Sequence, residues 1–282
     1  MNPIAETGMA RRERGGHSIN LVGRPTELLA SFTFNEHPAP LHISGVREMN
    51  GSLFEMLEHA TDLADAGEAF TCYMMAMFGI DPEQREDSRH RGNGAGGRRF
   101  RSSFLRLIKG WGYDSNGPEG AVLKGWVESR FGLFPTFHKE AIRRISTGPW
   151  TTYVEEKMSS RFHNNAIYVQ LDLLFEFCQW ALQRLVMPGQ SHLTLYRGTS
   201  SFDEHQIVEK IDRHTVLMRL NNLTSFSSDR DIAGCFGDII LTARIPVCKV
   251  AFYNGLLATH PLKGENEYLV IGGEYRVSAG YF

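Results

Sequence analysis

The sequence is short of cysteine. Its four, Cys72, Cys178, Cys235 and Cys248, stand far apart and form no C-x-x-C pair, which argues against a zinc site and a disulfide scaffold and fits reduced thiols in a cytoplasm. It also has little net charge. Against 30 basic side chains stand 32 acidic ones, for a formal −2, so no global field draws the chain to nucleic acid or to an anionic membrane, and partners must be read from local features. Long apolar runs are missing too: AFTCYMMAMFGI, from Ala69 to Ile80, falls well short of the ~18 residues that span a bilayer. The opening MNPIAETGMARRERGG has no apolar stretch ahead of its basic cluster, unlike a secretory signal, and a flexible tail is expected over 1–17. What remains is a soluble chain of 282 residues, long enough to bury a substantial core.

The rest divides into two textures. Residues 18–188 read as mostly helical. In SLFEMLEHATDLADAGEAFTCYMMAMF, Leu53, Met56, Leu57, Ala60 and Leu63 mark one face, and in AIYVQLDLLFEFCQWALQRLVM, Ile167, Leu171, Leu174, Cys178, Ala181 and Leu185 form an apolar stripe flanked by Gln170, Asp172, Glu176 and Gln179. Pro188-Gly189 stops this second helix. Between the two, Ser88 to Tyr113 holds seven Lys/Arg and no carboxylate and reads as a flexible basic loop that could dock an acidic patch on a partner. Its Gly92, Gly94 and Gly97 match G-x-G-x-x-G only formally, because EDSRHR precedes them where a nucleotide fingerprint needs a strand. Phe100, Phe104 and Trp111 among the bases leave a nucleic-acid surface as a minor alternative. Residues 189–282 turn to short β-branched and aromatic runs, HLTLYRG, TVLMRLNNLTSFSS, DIILTARIPV, KVAFYNG and EYLVIGGEYRVSAGYF. The fold class expected is α+β, a helical part packed on an antiparallel β unit.

Three segments of the β-rich part place polar groups in phase with apolar ones. Alternation along a strand puts Leu193, Leu195 and Arg197 on one face. A guanidinium stays charged and needs a partner there, either a structural carboxylate or the anion of a ligand. In NNLTSFSSD, Ser225 and Ser227 follow Leu223 inward, though strand-end serines often bond only nearby backbone. In KGENEYLVIGG, Glu265 and Glu267 share a face with Leu269 and Ile271, and carboxylates in such a position require partners.

Taken in order, Tyr196-Arg197-Gly198, Ser225-Phe226-Ser227 and Glu265-Asn266-Glu267 resemble the signatures of the arginine-serine-glutamate class of mono-ADP-ribosyltransferases. That class has an aromatic-Arg-Gly strand, a Ser-x-Ser strand and a Glu-x-Glu turn. The middle of the serine motif departs from the usual threonine, with Phe226 facing away from the others. Within the class, TLYRGTSSF, NNLTSFSSDRDIAGCFGD and KGENEYLVIGGEYRV are most similar to the family of nitrogen-fixing bacteria that acts on dinitrogenase reductase.

The resemblance implies an ADP-ribosyltransferase-like antiparallel β-sandwich and an NAD-binding catalytic core at 189–282. It also implies a cytoplasmic enzyme that moves ADP-ribose from NAD+ to an arginine of the nitrogenase iron protein, with no metal, and a PII signalling protein as a regulatory partner. Glu267 is then the carboxylate facing the reacting ribose, Glu265 the base for the acceptor arginine, and Arg197 the contact to the pyrophosphate or its neighbouring ribose. Gly198 is expected beside the nicotinamide, Ser225 on Glu267, Ser227 as a further ligand contact, and a helix is expected to start in Asp229 to Phe236. An NAD glycohydrolase with the same site, or a non-catalytic binding relative, are the alternatives.

Overall fold

The computed structural model describes residues 19–80, 102–159, 161–201, 205–258 and 266–281. The expected tail at 1–17, residues 88–101 with Gly92, Gly94 and Gly97, and Glu265 lie outside them.

Four short helices come first, α1 (Thr26–Ala30), α2 (Phe32–Glu36), α3 (Val46–Met49) and α4 (Gly51–Glu58), then the longer α5 (Leu63–Phe78). The long helical reading after Gly51 is split because Asp62 caps a new helix, its carboxylate accepting from the Asp65 amide at 2.9 Å, and Gly79, at φ 60°, closes it. Next are α6 (Phe104–Tyr113), α7 (Pro118–Phe131), a minimal strand pair β1 (Phe137–His138) and β2 (Glu140–Ala141), α8 (Gly148–Lys157), and α9 (Ile167–Ala181) with a π-helical turn over Leu182–Val186.

Helix α6 corrects the basic-loop expectation for its second half. Ser103 caps Arg106 N, and Phe104, Leu107, Ile108 and Trp111, spaced i, i+3, i+4 and i+7, are all buried. Phe104 and Trp111 therefore offer no stacking surface to nucleic acid.

Helix α9 carries the predicted stripe, yet its polar flank is buried as well. Asp172 accepts from Trp126 Nε1 at 2.7 Å and from both ends of the Arg130 fork at 2.8 and 2.9 Å. Glu176 accepts from Ile43 N and Arg47 Nε, both at 2.6 Å, and pairs with His42 at 3.0 Å. Burial pushes its carboxyl up, but the bonds from His42, Ile43 and Arg47 outweigh it and the net shift is downward. Gln179 Nε2 donates to the carbonyls of Val247 and Val250. So α9 is a central post, with the amino-terminal helices on one side and strands on the other, and one hydrophobic core runs through both.

The strands are β3 (His192–Thr199), β4 (Gln206–Lys210), β5 (Thr215–Ser227), β6 (Ile239–Pro246), β7 (Val250–Tyr253) and β8 (Glu267–Tyr281), with α10 (Arg230–Gly234) between β5 and β6. The α+β class holds, but the expected two-sheet sandwich is not what the pairings give. All six strands join one antiparallel sheet in the order β4-β5-β3-β6-β8-β7, and β5 also pairs with β8, so the ring β5-β3-β6-β8 closes into a barrel. The reason lies in β5 and β8, 13 and 15 residues long, which bend together. Their register shifts between Leu220 and Leu223, and a side chain at Gly272 would sit 2.1 Å from the Asn221 carbonyl, so only glycine admits the bulge.

The same bend is fastened by a lysine. Lys249 is fully buried, and Nζ donates to the carbonyls of Leu29 at 2.6 Å and Gly272 at 2.9 Å, tying α1 to β8. Burial brings its ammonium down to about 7, below the unfolded value of about 10.4. Between pH 7 and 8.5 the unfolded lysine keeps a proton that the folded one releases, so this group's contribution to stability rises with pH, by about 2 kcal/mol over the window, and levels off below pH 7. Urea denaturation at pH 7.0 and 8.5 should show a rise for the wild type relative to Lys249→Met. Equal slopes for the two proteins would count against the assignment.

Candidate active site

Register brings the three motif segments side by side. Tyr196 pairs with Ser227 across β3 and β5, and Ser227 pairs with Glu267 across β5 and β8, with Ser225 opposite Leu269. Ser225 Oγ donates to Glu267 Oε1 at 2.6 Å. Arg197 Nη1 donates to the Ser225 carbonyl at 2.9 Å. Arg197, Ser225 and Glu267 thus form one contiguous group, and Glu267 itself is buried.

Asn266, at the entry to β8, has φ 45°, a left-handed conformation that asparagine tolerates better than most residues. Its carbonyl accepts from Ser228 N at 3.1 Å, and the Glu267 carbonyl accepts from Asn254 N at 3.0 Å. The carboxylate is therefore held at a pinned turn. Next to it lies a cleft of about 300 Å³ between Tyr253–Ala258 and Asn266–Tyr268. Tyr253 and Tyr268 stack there with ring centroids 5.5 Å apart, and burial pushes both phenols up, so each stays protonated at neutral pH.

Two other sequence candidates have local partners. Ser227 Oγ accepts from Asp229 N at 3.1 Å and shapes the turn into α10, which starts on the Asp229 cap at Arg230. A side chain at Gly198 would meet the Ala233 carbonyl at 1.9 Å, so glycine is required there for α10 to lie against β3. The structure describes no position for Glu265.

Trp111 is the site residue that the motifs did not reveal. From α6, far away in sequence, its Nε1 reaches Ser225 Oγ at 2.8 Å and Glu267 Oε1 at 3.2 Å. A signal was present, since Phe104, Leu107, Ile108 and Trp111 follow the helical period behind a serine cap. Behind the indole lies Lys124, buried in α7, with Nζ 5.9 Å from the ring and donating to Asn116 Oδ1 at 2.9 Å and the Phe137 carbonyl at 3.1 Å. His138 Nδ1 lies 3.4 Å from the same ammonium and His138 Nε2 lies 2.7 Å from Glu156. Burial, then Lys124, lowers the His138 pKa. A neutral ring with its proton on Nε2 satisfies both neighbours.

A buried carboxylate held by a hydroxyl and an indole N–H, beside a strand arginine and a cleft, is an arrangement suited to stabilising positive charge on a bound substrate. Among the described residues no group of His, Cys, Asp and Glu is placed to hold a metal ion.

The chain matches the dinitrogenase reductase ADP-ribosyltransferase family over residues 19–279, and it belongs to that family. It is 65% identical over 267 residues to the NAD(+)--dinitrogen-reductase ADP-D-ribosyltransferase of Rhodospirillum rubrum, covering 94% of this chain and 96% of that protein. No solved structure matches the chain.

Proposed function

We propose that this protein transfers ADP-ribose from NAD+ to an arginine of dinitrogenase reductase, with Glu267, Ser225 and Arg197 as the core of the site. Membership of the family and the likeness to the Rhodospirillum rubrum enzyme support the reaction. The observation that carries the site is the double contact of Ser225 Oγ and Trp111 Nε1 with Glu267 Oε1.

The chemistry follows from these groups. Nicotinamide leaves as a neutral pyridine, so its departure needs no acid, whereas the ribose takes on oxocarbenium character. Glu267, fixed before the reaction begins, stabilises that charge and holds the ribose 2'-hydroxyl. Arg197 suits the pyrophosphate, whose oxygens match its fork, and the Gly198 backbone meets the nicotinamide amide while its side-chain position is taken by α10. Ser227 borders the ligand from β5. The acceptor guanidinium is protonated at neutral pH, so Glu265, two residues before Glu267, takes its proton as the new C1'–N bond forms.

Trp111 acts on the reaction by positioning Glu267. Trp111→Phe keeps an aromatic ring and removes the donor, and since a bond to a charged group is worth about 1.5–3 kcal/mol, transfer should fall at least about tenfold in kcat with KM for NAD little changed. An unchanged kcat would remove Trp111 from the machinery.

Four unpaired thiols accord with a reducing cytoplasm as the working compartment, and no helix among the described residues is long and apolar enough to cross a membrane. A PII signalling protein as regulator remains part of this reading through the family resemblance. The direct test is to incubate the protein with NAD+ and purified dinitrogenase reductase and map the modification by mass spectrometry. One ADP-ribose on an arginine is the expected product, and an unmodified target would overturn the reading.

A further inference from the structure

A second and larger cavity, of about 660 Å³, opens between the amino-terminal segment and the bend of the barrel. It shares no lining residue with the cleft at Glu267. Its volume is ordinary for a small-molecule site. Part of its wall is apolar, from Leu133, Phe134, Leu220, Pro25 and Ala30.

Two polar atoms on residues that line it have no hydrogen-bond partner, Asn222 Oδ1 and Thr136 Oγ1. Asn222 is only 2% exposed. Its amide orientation is fixed, because Nδ2 donates to the carbonyls of Lys124 and Leu133, each at 2.9 Å, which leaves Oδ1 as a buried acceptor. Thr136 is held through its backbone N–H, which donates to Asn221 Oδ1 at 2.9 Å, while the hydroxyl makes no bond that the fold uses. Buried polar atoms of this kind are rare and costly unless a partner meets them.

Charge narrows the class of partner. Arg219 is paired with Glu274 at 2.6 Å, both largely buried, and Arg24 and Glu27 line the same cavity. The signs balance, so neither an anion nor a cation is favoured.

We propose that this cavity is a second ligand site, for an uncharged molecule with an apolar body and N–H or O–H donors at its edge, a chemistry that a free nucleoside offers. It is independent of the catalytic reading, since none of its residues belongs to the Glu267 site.

The test is ligand-observed NMR with adenosine, guanosine, cytidine and uridine, on the wild type and on Thr136→Val. Valine matches threonine in shape and removes only the unused hydroxyl, so the variant should fold and retain transferase activity. Because nucleosides could also enter an NAD cleft, each titration is repeated with excess non-hydrolysable carba-NAD. At least one nucleoside should remain bound under carba-NAD, with its Kd raised about fivefold in Thr136→Val, the worth of one hydrogen bond. No binding in the presence of carba-NAD, or binding there unaffected by Thr136→Val, would overturn the proposal.

Discussion

Glu267→Gln is expected to lower ADP-ribosyl transfer by about 10²- to 10³-fold, the loss typical of removing a preorganised electrostatic group. The substitution is nearly isosteric. Its carbonyl oxygen can still accept from Ser225 and Trp111, which hold Oε1 at 2.6 and 3.2 Å in the wild type, and the strand pairing with Ser227 is a backbone matter. The fold should therefore survive, and only the charge facing the ribose is lost. Single-turnover transfer alongside a thermal melt separates the two effects. An unchanged melt with activity within tenfold of wild type would refute a charge-stabilising role for Glu267.

Glu265→Ala should split two activities that Glu267→Gln abolishes together. Proton removal from the acceptor guanidinium is general-base work worth about 10²- to 10⁴-fold, whereas release of nicotinamide to water needs no such base at the acceptor. Transfer to arginine should drop by that range and NAD hydrolysis far less. If both activities fell in parallel, Glu265 would belong with Glu267 in ribose stabilisation.

Much of the β-rich part was legible because its strands are buried on at least one face. Runs such as HLTLYRG and DIILTARIPV show the β-branched and aromatic content that pleated, packed surfaces favour, and they are β3 and β6. β4, QIVEK, was not legible: it is an edge strand with four of its five residues exposed or charged, so no inward pattern marks it. Closure of the barrel was also hidden, since it rests on a single β3–β5 residue pair and on a bulge that needs Gly272 opposite Asn221.

Burial of the polar flank of α9 was hidden for a related reason. Asp172 and Glu176 find Arg130 and Arg47 from distant segments, and nothing local announces such partners. The motif residues Arg197, Ser225 and Glu267 could be picked out because each stood in phase with leucines or an isoleucine where a charge or hydroxyl needs a reason. Trp111 could not be joined to them without the packing of α6 against the strands. The second cavity is built from four separate stretches of chain and leaves no mark in any one of them.

The most direct test of the account is nicotinamide release from NAD+ by the purified protein, with and without dinitrogenase reductase, with Glu267→Gln run alongside. Release should depend on the target protein and fall by at least about a hundredfold in the variant. Release that proceeds equally without the target would rule out the transferase reading and assign the same carboxylate to an NAD glycohydrolase.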